Sequence, residues 1–215
     1  MTHDTIYEFR DYTLHEGQRD VLIDLFEREF IEPQEALGAH VRAMFRDIDN
    51  PDRFVWMRSF ADAAARLAAL DGFYTGPVWQ AHRNAANATI IDSDNVMQLR
   101  PISGALASDA GETTGVIAST AYFLAPSAEE DFIRRFTREV VPALGAATPF
   151  ASFLTDHAPN AYPHLPTRTN ETVFLTFTRV HAGGHNEEMT DLLSPMLVAP
   201  TEVRRLQPTA RSVLR

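Results

Sequence analysis

The residues best suited to chemistry lie near the start of this chain. In IYEFRDYTL, residues 6–14, apolar and polar positions alternate with the period of a β-strand. The alternation puts Ile6, Glu8, Arg10 and Tyr12 on one face and Tyr7, Phe9, Asp11 and Thr13 on the other. A central sheet position seldom tolerates a charge unless it is paired or faces a cavity. The segment RFVWMRSF, 53–60, reads as a neighbouring strand and brings Trp56 and Arg58 beside that row. Two readings stand side by side. Either Glu8 pairs with Arg10 or Arg58 as a buried structural ion pair, or the arginines and the indole cradle a small aromatic or anionic molecule.

A second concentration occurs in GFYTGPVWQAHRNAAN, 72–87. Gly76 followed by Pro77 predicts a helix start, because proline lacks only an N–H that a first turn leaves unpaired. Val78, His82 and Ala85 then share one stripe and Trp79, Arg83 and Ala86 the next, with Phe73 and Trp79 as anchors on a sheet. Most of this segment is explained by packing. Tyr74 and His82 are its functional candidates, the tyrosine for positioning a ligand and the histidine as acid, base or oxyanion stabiliser. With Glu8, Arg10, Tyr12, Trp56 and Arg58 they form the expected binding set.

Other chemistries lack residues. There is no Cys, and all 19 basic residues are Arg, which excludes thiolate and Schiff-base catalysis and the phosphate-gripping lysine of a P-loop. No GxGxxG, GxSxG or HExxH occurs. His157, His164, His181 and His185 include the spaced pair HAGGH, but Gly183 and Gly184 make it a loop, so these histidines and His40 read as solvated or structural. No cofactor and no metal site are therefore expected. Purified protein should show no Soret band and no near-unit metal content; either one would overturn the expectation.

These residues need elements to hold them. In the first half, GQRDVLIDLFEREF places Val21, Leu22, Leu25, Phe26 and Phe30 on one helical stripe. AHVRAMFRDI and RFVWMRSF predict two strands joined by the turn DNPD, followed by the helix ADAAARLAAL and the strand NVMQLRP. The order is β-α-β-β-α-β, the ferredoxin-like plan. VIASTAYFL, EEDFIRRFTREVV, FASFLTD, TVFLTFTRV, EEMTDLL and VRRLQP repeat it. At an offset of 110, Tyr12, Leu14 and Phe26 fall on Tyr122, Leu124 and Phe136. An enlarged hairpin loop at 158–168 moves the later offset to 121, which places Arg58 on Arg179. Glu8 and Arg10 become Ala118 and Thr120, so the second unit does without their charges. The expected organisation is a first unit over 1–101, a linker over 102–115 and a diverged second unit over 116–215. Each unit covers only one face of its sheet, so the two should pack as an α+β barrel of antiparallel sheets.

The run IYEFRDYTLHEGQRDVLIDLF, followed by FVWMRSFADAAARLAALDGFYTGPVWQAHRNAANATIIDSDNVMQLRP, resembles the NIPSNAP family of the dimeric α/β-barrel superfamily over most of residues 5–101. Residues 116–215 resemble it more weakly. The resemblance implies tandem ferredoxin-like units and a family of unsettled activity. Its wider relatives include cofactor-independent monooxygenases, heme-degrading enzymes and ligand-binding regulatory domains, and fold alone does not choose among them.

A formal charge of −10 argues against nucleic acid and anionic membrane surfaces as partners. No apolar run approaches the roughly 18 residues of a membrane span. A cytoplasmic, homo-oligomeric protein with a small-molecule ligand is expected. Three functions remain open: binding without turnover, a cofactor-independent oxygenase or isomerase, and a ligand-free interaction module. A dry, closed salt bridge at Glu8 and Arg10 would favour the module, and an open polar cavity of several hundred cubic ångströms the other two.

Overall fold

A computed structural model of the chain describes residues 4–104, 106, 115–180 and 192–214. The first unit runs β1 (Ile6–Leu14), α1 (Arg19–Glu29), α2 (Ile31–Ala36), β2 (His40–Asp47), β3 (Arg53–Phe60), α3 (Ala63–Thr75), α4 (Pro77–Asn87), β4 (Ile90–Asp92) and β5 (Val96–Gly104). The second runs β6 (Ile117–Leu124), α5 (Glu129–Arg135), a π-turn over Phe136–Val140, α6 (Val141–Leu144), β7 (Ala151–Thr155), β8 (Thr172–Arg179) and β9 (Glu202–Pro208). β5 thus occupies 102–104, where the linker was expected to begin. Most of the rest of that linker, most of EEMTDLL, and both His181 and His185 lie outside the described residues.

All strand pairings are antiparallel, and eight strands close into a barrel. The first unit contributes β5-β1-β3-β2 and the second β9-β6-β8-β7. Two seams join them: β2 pairs β9 through Phe45↔Pro208 to Asp47↔Leu206, and β5 pairs β7 through Leu99↔Thr155 to Gly104↔Ala151. The last strand of each unit therefore pairs with the other unit's second strand. Closure leaves these eight strands without a free edge, while β4 adds only a short ladder to β1 at Thr13 and Leu14.

The barrel interior takes one side of every strand alternation. Phe9, Phe45, Met57 and Leu99 meet Phe123, Phe153, Phe177 and Leu206 in a single apolar core. The opposite side of β1 and β3 faces the helices, where Tyr12, Phe54 and Trp56 pack against Leu22, Phe26 and Phe30 of α1 and its C-cap. The α1 stripe is rotated from the sequence expectation: Val21 is exposed and Ile23 is buried in its place. Asp62 caps α3, its Oδ1 accepting from the Ala65 N–H at 2.8 Å. Gly76 ends α3 and starts α4, with Pro77 at the first turn. A Cβ at Gly76 would lie 2.6 Å from the Gly72 carbonyl oxygen, so only glycine fits this corner. The corner aims Phe73, Tyr74 and Trp79 at α1 and the outer face of the sheet.

Candidate functional site

Register assembles the site. Along β1 and β3, Glu8 lies opposite Arg58, Arg10 opposite Trp56 and Tyr12 opposite Phe54. Their side chains stand on the helix-facing side, at no more than 7 % exposure. Glu8 Oε2 accepts from Arg10 Nη1 at 2.8 Å and from Arg58 Nε at 2.7 Å. Its other oxygen accepts from Nε of Arg66, on α3, at 2.8 Å. One carboxylate thus serves three buried guanidiniums, leaving two positive charges with no carboxylate of their own in the cluster. Rings carry part of that excess: the Trp56 ring lies 5.5 Å from the Arg10 guanidinium carbon and 5.2 Å from that of Arg58.

The remaining donors are partly met. Arg10 Nε donates to the Tyr12 hydroxyl at 2.9 Å, and Arg58 Nη1 to Gln34 Oε1 on α2 at 2.9 Å. Arg58 Nη2 and Trp56 Nε1 are buried and meet no acceptor among the described residues. Burial alone would raise the Glu8 carboxyl, but Arg58, Arg10 and Arg66 overrule it and hold it well below the usual carboxylate range. Glu8 is therefore a fixed anion and no proton acceptor near neutrality. Burial works against the Arg10 charge, yet Tyr12 and Glu8 beside it raise its pKa. Burial raises the Tyr12 phenol, with Arg10 opposing, so Tyr12 keeps its proton and can donate it.

A cavity of about 110 Å³ opens beside this cluster. Its floor is Arg10, Tyr12 and Trp56; Phe26, Phe30, Phe73, Tyr74 and Trp79 wall it; Asn87, Ser93 and Leu165 form the rim. The volume is on the scale of the ~150 Å³ cavity that accommodates benzene. The arrangement falls between the two sequence expectations. The Glu8–Arg10 row is a closed ion pair, but it is not neutral, and the cavity beside it is smaller than several hundred cubic ångströms.

Of the seven residues expected from sequence, Arg10, Tyr12, Trp56 and Tyr74 line the cavity. Glu8 and Arg58 sit behind them in the ion cluster. His82 does neither; it lies 3.5 Å from Glu29 on α1, with both side chains about a third exposed. Arg66 and Gln34, which complete the cluster, were not among the seven. The only sequence signal for Arg66 is an arginine in register with Ala69, Leu70 and Phe73 on an otherwise apolar stripe. Elsewhere, His40 pairs with Asp4 at 2.9 Å, and His157 with Glu129 at 2.8 Å.

Among the described residues the second unit carries no such cluster. Tyr122 lies opposite Phe174 as Tyr12 does opposite Phe54, and Ala118 opposite Thr178 as Glu8 does opposite Arg58. The true offset between β3 and β8 is therefore 120, not 121, and a one-residue slip moves a side chain to the other face of the sheet. Arg58 and Trp56 correspond to Thr178 and Thr176, not to Arg179 and Phe177. Where the first unit has charges and a cavity, Tyr122, Phe132, Phe136 and Phe174 form a ring cluster with centroids 5.0–6.4 Å apart.

Residues 7–105 match the NIPSNAP family model. No curated protein matches the chain. Among solved structures, a candidate monooxygenase from Lactobacillus acidophilus NCFM is 14% identical, covering 96% of this chain and 94% of that one, with a TM-score of 0.59. A candidate monooxygenase from Fusobacterium nucleatum is 9% identical, covering 97% and 94%, at 0.61. An anthrone oxidase-like protein is also 9% identical, covering 96% and 92%, at 0.61. At these identities the likeness is one of fold, and it runs the length of the chain.

Proposed function

With residues 7–105 a NIPSNAP-family domain, we propose that the first unit binds a small monocyclic aromatic anion, its oxyanion toward Arg10 and Tyr12 and its ring among Trp56, Phe73 and Trp79. One observation carries this reading: a ring-walled cavity whose floor is an arginine from a buried cluster with two positive charges in excess. Buried charge without a partner is costly, so an occupant bringing an oxyanion gains more here than a neutral one. The same atoms would serve turnover, because Arg10 and the Tyr12 O–H could stabilise an oxyanion as it forms. Among the described residues the cavity lining holds no imidazole or carboxylate to act as base, which favours binding.

The test uses benzoate as probe. Trp56 and Trp79 are the two tryptophans of the chain and both line the cavity, so intrinsic fluorescence reports on it directly. Arg10→Ala is expected to weaken benzoate binding by a factor of ten or more, roughly the loss of one charge-assisted contact. It should still fold, at a cost of about 1–3 kcal/mol, because Glu8 keeps Arg58 and Arg66. Thr120→Ala, at the matching position of β6, should leave binding unchanged. Equal benzoate binding by all three proteins would place the site elsewhere.

A further inference from the structure

The cavity is completed from the other half of the chain. The first unit joins its paired strands β2 and β3 by a tight turn over residues 48–52, whereas β7 and β8 are joined by the long connection 156–171. That connection crosses onto the first unit. Tyr162 is buried with Ile6, Phe60 and Leu70, its ring stacked on Tyr74 at 6.2 Å and 25°. Leu165 forms part of the cavity rim. Asn160 Oδ1 accepts from Arg66 Nη1 at 3.0 Å, the guanidinium that also holds Glu8. Within the strap, Asn160 Nδ2 donates to the Leu165 carbonyl at 2.8 Å and the Tyr162 N–H to Asn160 Oδ1 at 3.1 Å, so the turn is internally braced. Its far end is fixed by the Arg168 N–H donating to the Val96 carbonyl at 2.8 Å.

We propose that this strap from the second unit is the specificity element of the first-unit site. Leu165 limits how far an aromatic anion held at Arg10 can extend, and Asn160, hooked on Arg66, fixes where Leu165 stands. This rests on the anion-binding reading above. It also gives the second unit a role at a site it does not itself contain: its own sheet face is filled with rings, and its contribution is a wall. The ligand class follows from the enclosure. A single ring with one oxyanion is already at the limit of this space, and a fused two-ring anion must displace Leu165.

The experiment titrates benzoate and 2-naphthoate against the intact protein by tryptophan fluorescence, with Leu165→Ala and Leu165→Phe as variants. Leu165 is half-buried at a rim, so neither change opens the core. Leu165→Ala should shift selectivity toward 2-naphthoate by about tenfold or more, the usual worth of a side-chain-sized change in an apolar pocket. Leu165→Phe should shift it the other way. Leu165→Ala should also raise acrylamide quenching of the two tryptophans without any ligand, because the cover is thinner. Wild-type protein that binds neither probe would sink the anion site itself. Binding with selectivity unmoved in both variants would leave the site standing and overturn the role of the strap.

Discussion

Glu8→Gln is expected to lower the melting temperature by about 10 °C or more at neutral pH. Gln has nearly the same shape and keeps an acceptor oxygen, but it leaves Arg10, Arg58 and Arg66 with no anion among them. Removing one partner of a buried ion cluster costs about 3–5 kcal/mol, and each kcal/mol moves the melt of a chain this size by roughly 2–4 °C. The pH dependence provides the control. The folded-state pKa of Glu8 is depressed, so its contribution is fully present above the unfolded value near 4.3. It is lost as pH falls through that value toward the folded one, at about 1.4 kcal/mol per pH unit. The gap between wild type and Glu8→Gln should therefore narrow between pH 7 and pH 3. Other acid-sensitive groups, Asp4 among them, are common to both proteins and cancel in the difference. A gap that stays constant would mean that the folded-state pKa of Glu8 is not depressed, and one that changes in the opposite direction that its carboxyl is protonated in the folded protein.

Phe174→Ala should be about as damaging to stability and harmless to binding. The Phe174 ring is 2 % exposed, with the Phe136, Phe132 and Tyr122 centroids 5.0, 5.2 and 6.4 Å away. Truncating a buried phenylalanine costs about 3–5 kcal/mol through lost burial and the cavity left behind. Thermal melts should show a drop of about 10 °C or more, with benzoate affinity unchanged at temperatures where the variant is folded. Loss of binding in the folded variant would mean that a second site, or a coupling between units, lies in β6 and β8. A drop of only a degree or two would mean that the ring cluster is not the core of that unit.

Much of this architecture is legible in the sequence, because strands alternate strongly and β-α-β-β-α-β recurs in the same order. Glu8, Arg10 and Tyr12 share a face with Trp56 and Arg58 for reasons of period alone. What period does not give is which helix supplies a partner. Arg66 looks like one cation in an alanine-rich helix until α3 is packed on the sheet and its guanidinium reaches Glu8. His82 shares an apolar stripe with Val78, yet α4 is turned so that the imidazole meets Glu29. The repeat is visible in the sequence, but its later offset reads one residue too long there, because a long loop can absorb an extra position without any local signature. The face to which Arg179 belongs depends on that single residue. Residues 158–168 were recognisable as oversized, but their contacts with Tyr74 and Arg66 are between residues 88 and 94 positions apart, where local pattern carries no information.

The exchanged seams also set an order of events during synthesis. Among the described residues, β2 finds its outer neighbour in β9, and β5 in β7. Until Leu206 has left the ribosome, the cover that Phe123, Phe153 and Phe177 begin over Phe9, Phe45, Met57 and Leu99 is incomplete. At typical translation speeds of about 5–20 residues per second, the stretch from the end of β5 to the end of β9 takes roughly 5–20 s to appear. Throughout that interval the nascent first unit presents an apolar sheet face and an unpaired strand edge, the combination that invites pairing with another chain. A holding chaperone, or slow translation at low temperature, should therefore raise the yield of this protein more than that of a chain whose halves close independently.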